Sequence, residues 1–79
     1  MPKITPVSYQ TLVRVFEQDG FKLQRTRGDW TDHLVYTKPG IPRPIVIPMY
    51  DQVPVFIIRN NLRSARMSRE RYFELLGTV

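Results

Sequence analysis

The chain contains a single histidine, His33, set among twelve lysines and arginines. An imidazole titrates near pH ~6.5 in its ordinary state, so it can take up or release a proton at neutral pH. General acid/base work is therefore open to it. A substrate suited to one such group carries its own nucleophile beside the bond to be broken. RNA does, because each scissile phosphate has a neighbouring 2′-hydroxyl, and that reaction requires no metal. Lys22, Arg25, Arg27, Lys38 and Arg43 precede and follow His33 in the chain. Such cations hold phosphates and offset the charge added on a pentavalent phosphorane. Trp30 offers a plane on which an unpaired base can stack. The competing reading is a solvated surface histidine, hydrated loop cations and a tryptophan that caps a small core.

The composition narrows the alternatives. Seventy-nine residues with 42% hydrophobic and 11% aromatic content suit one small folded domain, expected over residues 1–79, and not a disordered tail. The absence of cysteine removes disulfides, thiolate metal sites and cysteine nucleophiles. One histidine and seven scattered carboxylates give no zinc spacing, and neither a glycine-rich phosphate loop nor a Gly-x-Ser-x-Gly elbow occurs. No metal and no small-molecule cofactor are expected. The net charge of +5 points to a polyanionic partner. Met1-Pro2-Lys3-Ile4-Thr5-Pro6 does not read as a signal peptide, and every apolar run is shorter than the ~20 residues of a membrane span. A cytoplasmic protein without a membrane partner is the expectation.

The elements that must position His33 follow from periodicity. Tyr9, Leu12, Val13 and Phe16 form a helical stripe, with Ser8 as N-cap, Val7 stapled onto Leu12, and Asp19-Gly20 as the stop. The period then becomes two, predicting strands at about 21–26 and 32–37 joined by Arg27-Gly28-Asp29. Phe21, Leu23, Leu34 and Tyr36 are expected to face the helices. Lys22, Gln24, Thr26, His33, Val35 and Thr37 are expected on the opposite, open face, where the imidazole is exposed. Lys38-Pro39-Gly40 ends the second strand, a proline-rich loop follows, and Ile45-Val46-Ile47 forms a short third strand stopped by Pro48. Pro54 opens a helix with Val55, Ile58, Leu62 and Ala65 on one face, and Asp51 is a candidate cap. Ser68 caps a last helix that carries Tyr72, Phe73, Leu75 and Leu76, with Met67 stapled to Tyr72. The expected fold is α+β, a two-layer α-β-β-β-α-α domain with helices on one sheet face.

A rival site lies in the C-terminal half. Arg59, Arg63, Arg66, Arg69 and Arg71 crowd two consecutive helices, an arrangement open to helix-turn-helix DNA binding or to plain solvation. The connection Arg66-Met67-Ser68 has no glycine, and the last helix spends its apolar residues on packing.

Pro6-Val7-Ser8-Tyr9, Gly20-Phe21, Arg25 to Gly28, His33 with Tyr36, Pro39 and Gly40, Val46-Ile47-Pro48, Leu62-Arg63, Ser68-Arg69-Glu70 and Leu75-Leu76 together, in this order, resemble the HicA (YcfA-like) mRNA interferase toxins of bacterial toxin–antitoxin pairs. The resemblance covers nearly the whole chain. It implies a fold similar to double-stranded-RNA-binding domains, metal-independent endoribonuclease activity on mRNA, a catalytic histidine on the second strand, here His33, and a HicB-type antitoxin partner. Where the family has Gly-Ser-His, this chain reads Gly28-Asp29-Trp30-Thr31-Asp32-His33, without the serine and with a longer, acidic turn. A non-catalytic RNA- or partner-binding module of the same fold is therefore the second reading.

Overall fold

The computed structural model describes residues 3–28 and 32–79. Six elements follow one another: α1 (Tyr9–Gln18), β1 (Lys22–Gly28), β2 (Asp32–Thr37), β3 (Ile45–Pro48), α2 (Val55–Ala65) and α3 (Arg69–Leu76). The three strands form an antiparallel sheet in the order β1-β2-β3. The α+β order expected from periodicity is the order observed.

Local chemistry explains the boundaries. The Ser8 hydroxyl accepts a hydrogen bond from the Thr11 amide at the start of α1, which satisfies one of the helix's orphan donors. At the other end Gly20 adopts φ 101°, and the Phe21 amide donates back to the Phe16 carbonyl at 3.0 Å. The Phe16 and Phe21 rings meet edge to face at 5.5 Å, so helix stop and apolar contact are one unit. Between β2 and β3, Gly40 at φ 87° and the Ile41 amide bonded to the Lys38 carbonyl close a Pro-Gly turn that only a residue tolerant of positive φ enters cheaply. Ser68 caps α3 through the Arg71 amide at 3.1 Å. The expected Asp51 cap is not formed: Pro54 holds the N-cap position of α2 without a side-chain hydrogen bond.

Leu12, Val15, Phe16, Phe21, Tyr36, Ile45, Ile47, Ile58, Leu62 and Tyr72 belong to one buried cluster. Helix contacts to the sheet come from α1 and α2 and concentrate on β3. The edge strand β1 is left less covered, which explains one departure. Leu23, expected in the core, is 52% exposed. It pairs with Tyr36 in the ladder, yet the helices do not reach far enough across the sheet to bury it.

Asp19 ties three elements together. Its carboxylate accepts from Lys38 Nζ and from Arg71 Nε, each at 3.3 Å, and Arg71 also reaches Glu74 at 2.6 Å. The end of α1, the end of β2 and the start of α3 are thereby clasped. Thr78 bonds to Gln18 beside them.

Tyr72 is buried and its hydroxyl has no hydrogen-bond partner among the described residues. Burial raises its pKa above the ordinary 10.0. The Tyr36 hydroxyl, which donates to Glu17 Oε2, is raised as well, by burial first and then by the Glu17 charge. Raised folded-state values stabilise the protein below pH 10.0 and are lost as pH climbs towards them. Tyr72→Phe removes an unpaired buried hydroxyl, so we expect a gain of about 1 kcal/mol in urea unfolding at neutral pH. The variant should also lose less stability than the parent between about pH 10 and 11.

Candidate functional site

The register of β1 against β2 decides what surrounds His33. Lys22 pairs with Thr37 and Leu23 with Tyr36, but the next pair is Arg25 with Val35, so Gln24 is an extra residue in a β-bulge. Beyond it Thr26 pairs with Leu34, Arg27 with His33, and Gly28 with Asp32. On the other side His33 pairs with Pro48 and Val35 with Val46. Residues opposite one another in a ladder share a face. The face that carries His33 therefore also carries Lys22, Arg25, Val35, Thr37, Val46 and Pro48, and Arg27 occupies the ladder position directly opposite the histidine. Bulges are known to re-aim side chains in this way.

This corrects the uninterrupted alternation. Thr26 stands on the Leu34 side, and Arg25 takes the place among the face residues that strict alternation denied it. A one-residue bulge gives no period signal in a strand this short, so the sequence pattern did not reveal it. His33 itself is half-buried, where full exposure was expected. The centre of the face is not open either. Val35 is 1% exposed although it lies outside the cluster that packs under the helices. Arg25 and Lys22 are exposed, and Val46 is 38% exposed. The site thus combines an imidazole, exposed cations on the neighbouring strand and an apolar middle.

The other candidates are placed elsewhere. Lys38 lies past the far end of β2 from His33, held by Asp19 and stacked over the Phe21 ring at 5.6 Å. Arg43 is an exposed loop residue before β3, beyond the Tyr36 end of the ladder. Trp30 falls outside the described residues. Of the rival C-terminal helices, α3, the one that would enter a groove, is short on free recognition surface. The eight residues of α3 give Tyr72 and Leu75 to the core, Arg71 to Asp19 and Glu74, and Arg69 to the Phe73 ring at 6.0 Å. Among the described residues no group of three or more His, Cys, Asp or Glu side chains has the geometry to hold a metal ion, and no helix is long and apolar enough to cross a membrane.

The profile of a family described as the HicA toxin of bacterial toxin–antitoxin systems matches residues 9–67. The chain belongs to the HicA toxin family. The match runs from the first residue of α1 to Met67 after α2, and so includes the whole sheet and the His33 face. No curated protein and no solved structure gives a significant match. Family membership makes the protein a toxin of a toxin–antitoxin system and implies an antitoxin partner.

The bulge can be checked by cross-linking, because the chain has no cysteine of its own. With Arg25 opposite Val35, the pair Arg25→Cys/Val35→Cys brings two Cβ atoms to roughly 4.5–5.5 Å, close to disulfide reach. It should oxidise readily, while Gln24→Cys/Val35→Cys should remain reduced under the same conditions. Preferential cross-linking of the second pair would mean a straight ladder.

Proposed function

We propose that this HicA toxin is a metal-independent endoribonuclease that cleaves mRNA, with His33 as general acid/base. The observation that carries the reading is the ladder register: His33 shares its face with Lys22 and Arg25, and Arg27 stands opposite it. His33 takes the proton of a 2′-hydroxyl as O2′ attacks the adjacent phosphorus. The bond from phosphorus to O5′ breaks, and the proton that His33 took up passes through water to the leaving oxygen. The products are a 2′,3′-cyclic phosphate and a 5′-hydroxyl. Arg25 and Lys22, with Arg27, hold the strand and offset the extra charge of the phosphorane, and Trp30 stacks on a base. No bond in this sequence passes through a metal. The reaction belongs in the cytoplasm, with mRNA as substrate.

The antitoxin partner that the family implies would, on this reading, be of the HicB type and would cover the His33 face. Substrate and antitoxin then compete for one surface. Arg43 lies in the loop before β3, at the end away from the Pro48 position level with His33, and Lys38 serves the Asp19 clasp before it serves RNA.

Induction of the wild-type chain and of His33→Ala in a bacterial host tests the reading. Wild type should arrest growth and shorten mRNA; the variant should do neither, with a loss of at least about 100-fold in cleavage of a purified RNA. The ends should carry cyclic phosphate and 5′-hydroxyl, and EDTA should leave the rate unchanged. Equal cleavage by both proteins would overturn the role of His33. Salt-dependent RNA binding without cleavage in either protein would select the non-catalytic module instead.

A further inference from the structure

A second electropositive feature lies away from the histidine. Pro42, Arg43, Arg63, Ser64 and Arg66 line a cleft of about 290 Å³, which continues past Pro42 and Arg66 onto a shelf formed with Gly40 and Ile41. Its three arginines come from two separate parts of the chain: Arg43 from the β2–β3 loop, Arg63 from the last turn of α2 and Arg66 from the residue that ends that helix. Among the described residues none of the three has a carboxylate partner, in contrast to Lys38 and Arg71. A cationic side chain near a helix C-terminus has an ordinary explanation in the helix dipole. That explanation covers Arg63 but not Arg43, which the loop brings to the same cleft.

Arg66 adds an independent observation. It has φ 55° and ψ 37°, the left-handed conformation in which glycine is the usual helix-ending residue. The Met67 amide donates to the Leu62 carbonyl at 2.9 Å, so the closure is the same as at Gly20. Here, however, the strained position carries a guanidinium that lines the cleft. Strain of this kind is informative when it accompanies a group with a use.

Three like charges converging on one cleft repel one another until an anion enters. Guanidinium forks arriving from separate elements suit the tetrahedral oxygens of a phosphate better than the two coplanar oxygens of a carboxylate. The position is equally specific. His33 is level with Pro48, the last residue of β3, and Arg43 lies in the loop before the first residue of that strand, Ile45.

We propose that the Arg43, Arg63 and Arg66 cleft binds a backbone phosphate of the substrate RNA remote from the cleaved position. This inference rests on the ribonuclease reading above.

Two measurements on the full chain test it. In a His33→Ala background, which leaves RNA uncut, Arg43→Gln and Arg66→Gly should each weaken RNA binding by roughly 3–10-fold at low salt, and the log–log salt slope should fall by about 0.7. Neither substitution removes a buried side chain. Separately, inorganic phosphate should raise the melting temperature above that in chloride of equal ionic strength, and both arginine variants should lose that increment. Unchanged RNA affinity and slope in the variants would overturn the proposal, whether or not phosphate protection is lost. Loss of an antitoxin complex with RNA affinity intact would also overturn it, as the cleft would then be a protein-docking surface. Absence of RNA binding in His33→Ala itself, with phosphate protection still dependent on Arg43, would overturn the ribonuclease reading and the RNA assignment together while leaving an anion site. RNA binding that depends on Arg43 and Arg66, in a chain whose wild type does not cleave, would support the cleft and count against catalysis alone.

Discussion

The pairing between β1 and β2 governs what this HicA toxin presents around its only histidine. A strand has a side-chain period of two, so one extra residue exchanges the two faces for everything beyond it. Gln24 is that residue. Without it Thr26 would stand opposite His33 and both Arg25 and Arg27 would belong to the helix side. With it the arginine positions flank the histidine on the adjacent strand, where backbone hydrogen bonds fix their spacing. A cation held on a strand loses less freedom on meeting a phosphate than one on a loop, because its backbone is already ordered.

The same sheet has to satisfy a second demand, that of a core. A chain of 79 residues has few side chains with which to bury apolar area. The helices use them on one face, over β3 and the middle of the sheet. The other face carries His33, Lys22 and Arg25 around a buried Val35 that lies outside that cluster. Leu23 shows the limit of this economy, since it pairs with Tyr36 yet remains more than half exposed. Asp19 helps hold the arrangement at the end of the sheet away from His33, joining α1, the end of β2 and α3 through Lys38 and Arg71. Such pairs are individually weak, but here two share one carboxylate that links segments distant in sequence.

Much of this was legible in the residues. The helix starts at Ser8 and Ser68, the stop at Gly20 and the turn at Gly40 are set by local backbone needs that few residue types meet, and each was placed correctly. The second strand was legible to the residue, because its alternation runs unbroken from His33 to Thr37. What was not legible depended on contacts between elements. The bulge at Gln24 arises from pairing with β2, and no residue type announces it. The end of α2 at Arg66 carried no glycine signal, although the backbone there is left-handed. The partnership of Lys38 with Asp19 joins positions 19 residues apart, and charge alone could not distinguish it from a free cation. The family resemblance drew on residues spread over several elements and the family match bears it out over residues 9–67, whereas the site depended on a register that those residues do not encode.

Charge follows from this geometry more than from composition. Seven of the twelve cations fall in three places: exposed Lys22 and Arg25 beside His33, a clasp in which Lys38 and Arg71 are held by Asp19 and Glu74, and the Arg43, Arg63 and Arg66 cleft without carboxylates. Of these three, the first and third have no carboxylate partner among the described residues. They lie towards opposite ends of β3, since His33 is level with Pro48 and Arg43 precedes Ile45. An anionic chain that engaged both would have to span the length of β3 and pass from the His33 face to the end of α2. An antitoxin that covers the His33 face alone would leave the arginine cleft accessible, whereas one reaching both would need acidic groups spaced along the same line. The positions of the two patches at opposite ends of β3 therefore limit the geometry of any partner that uses both.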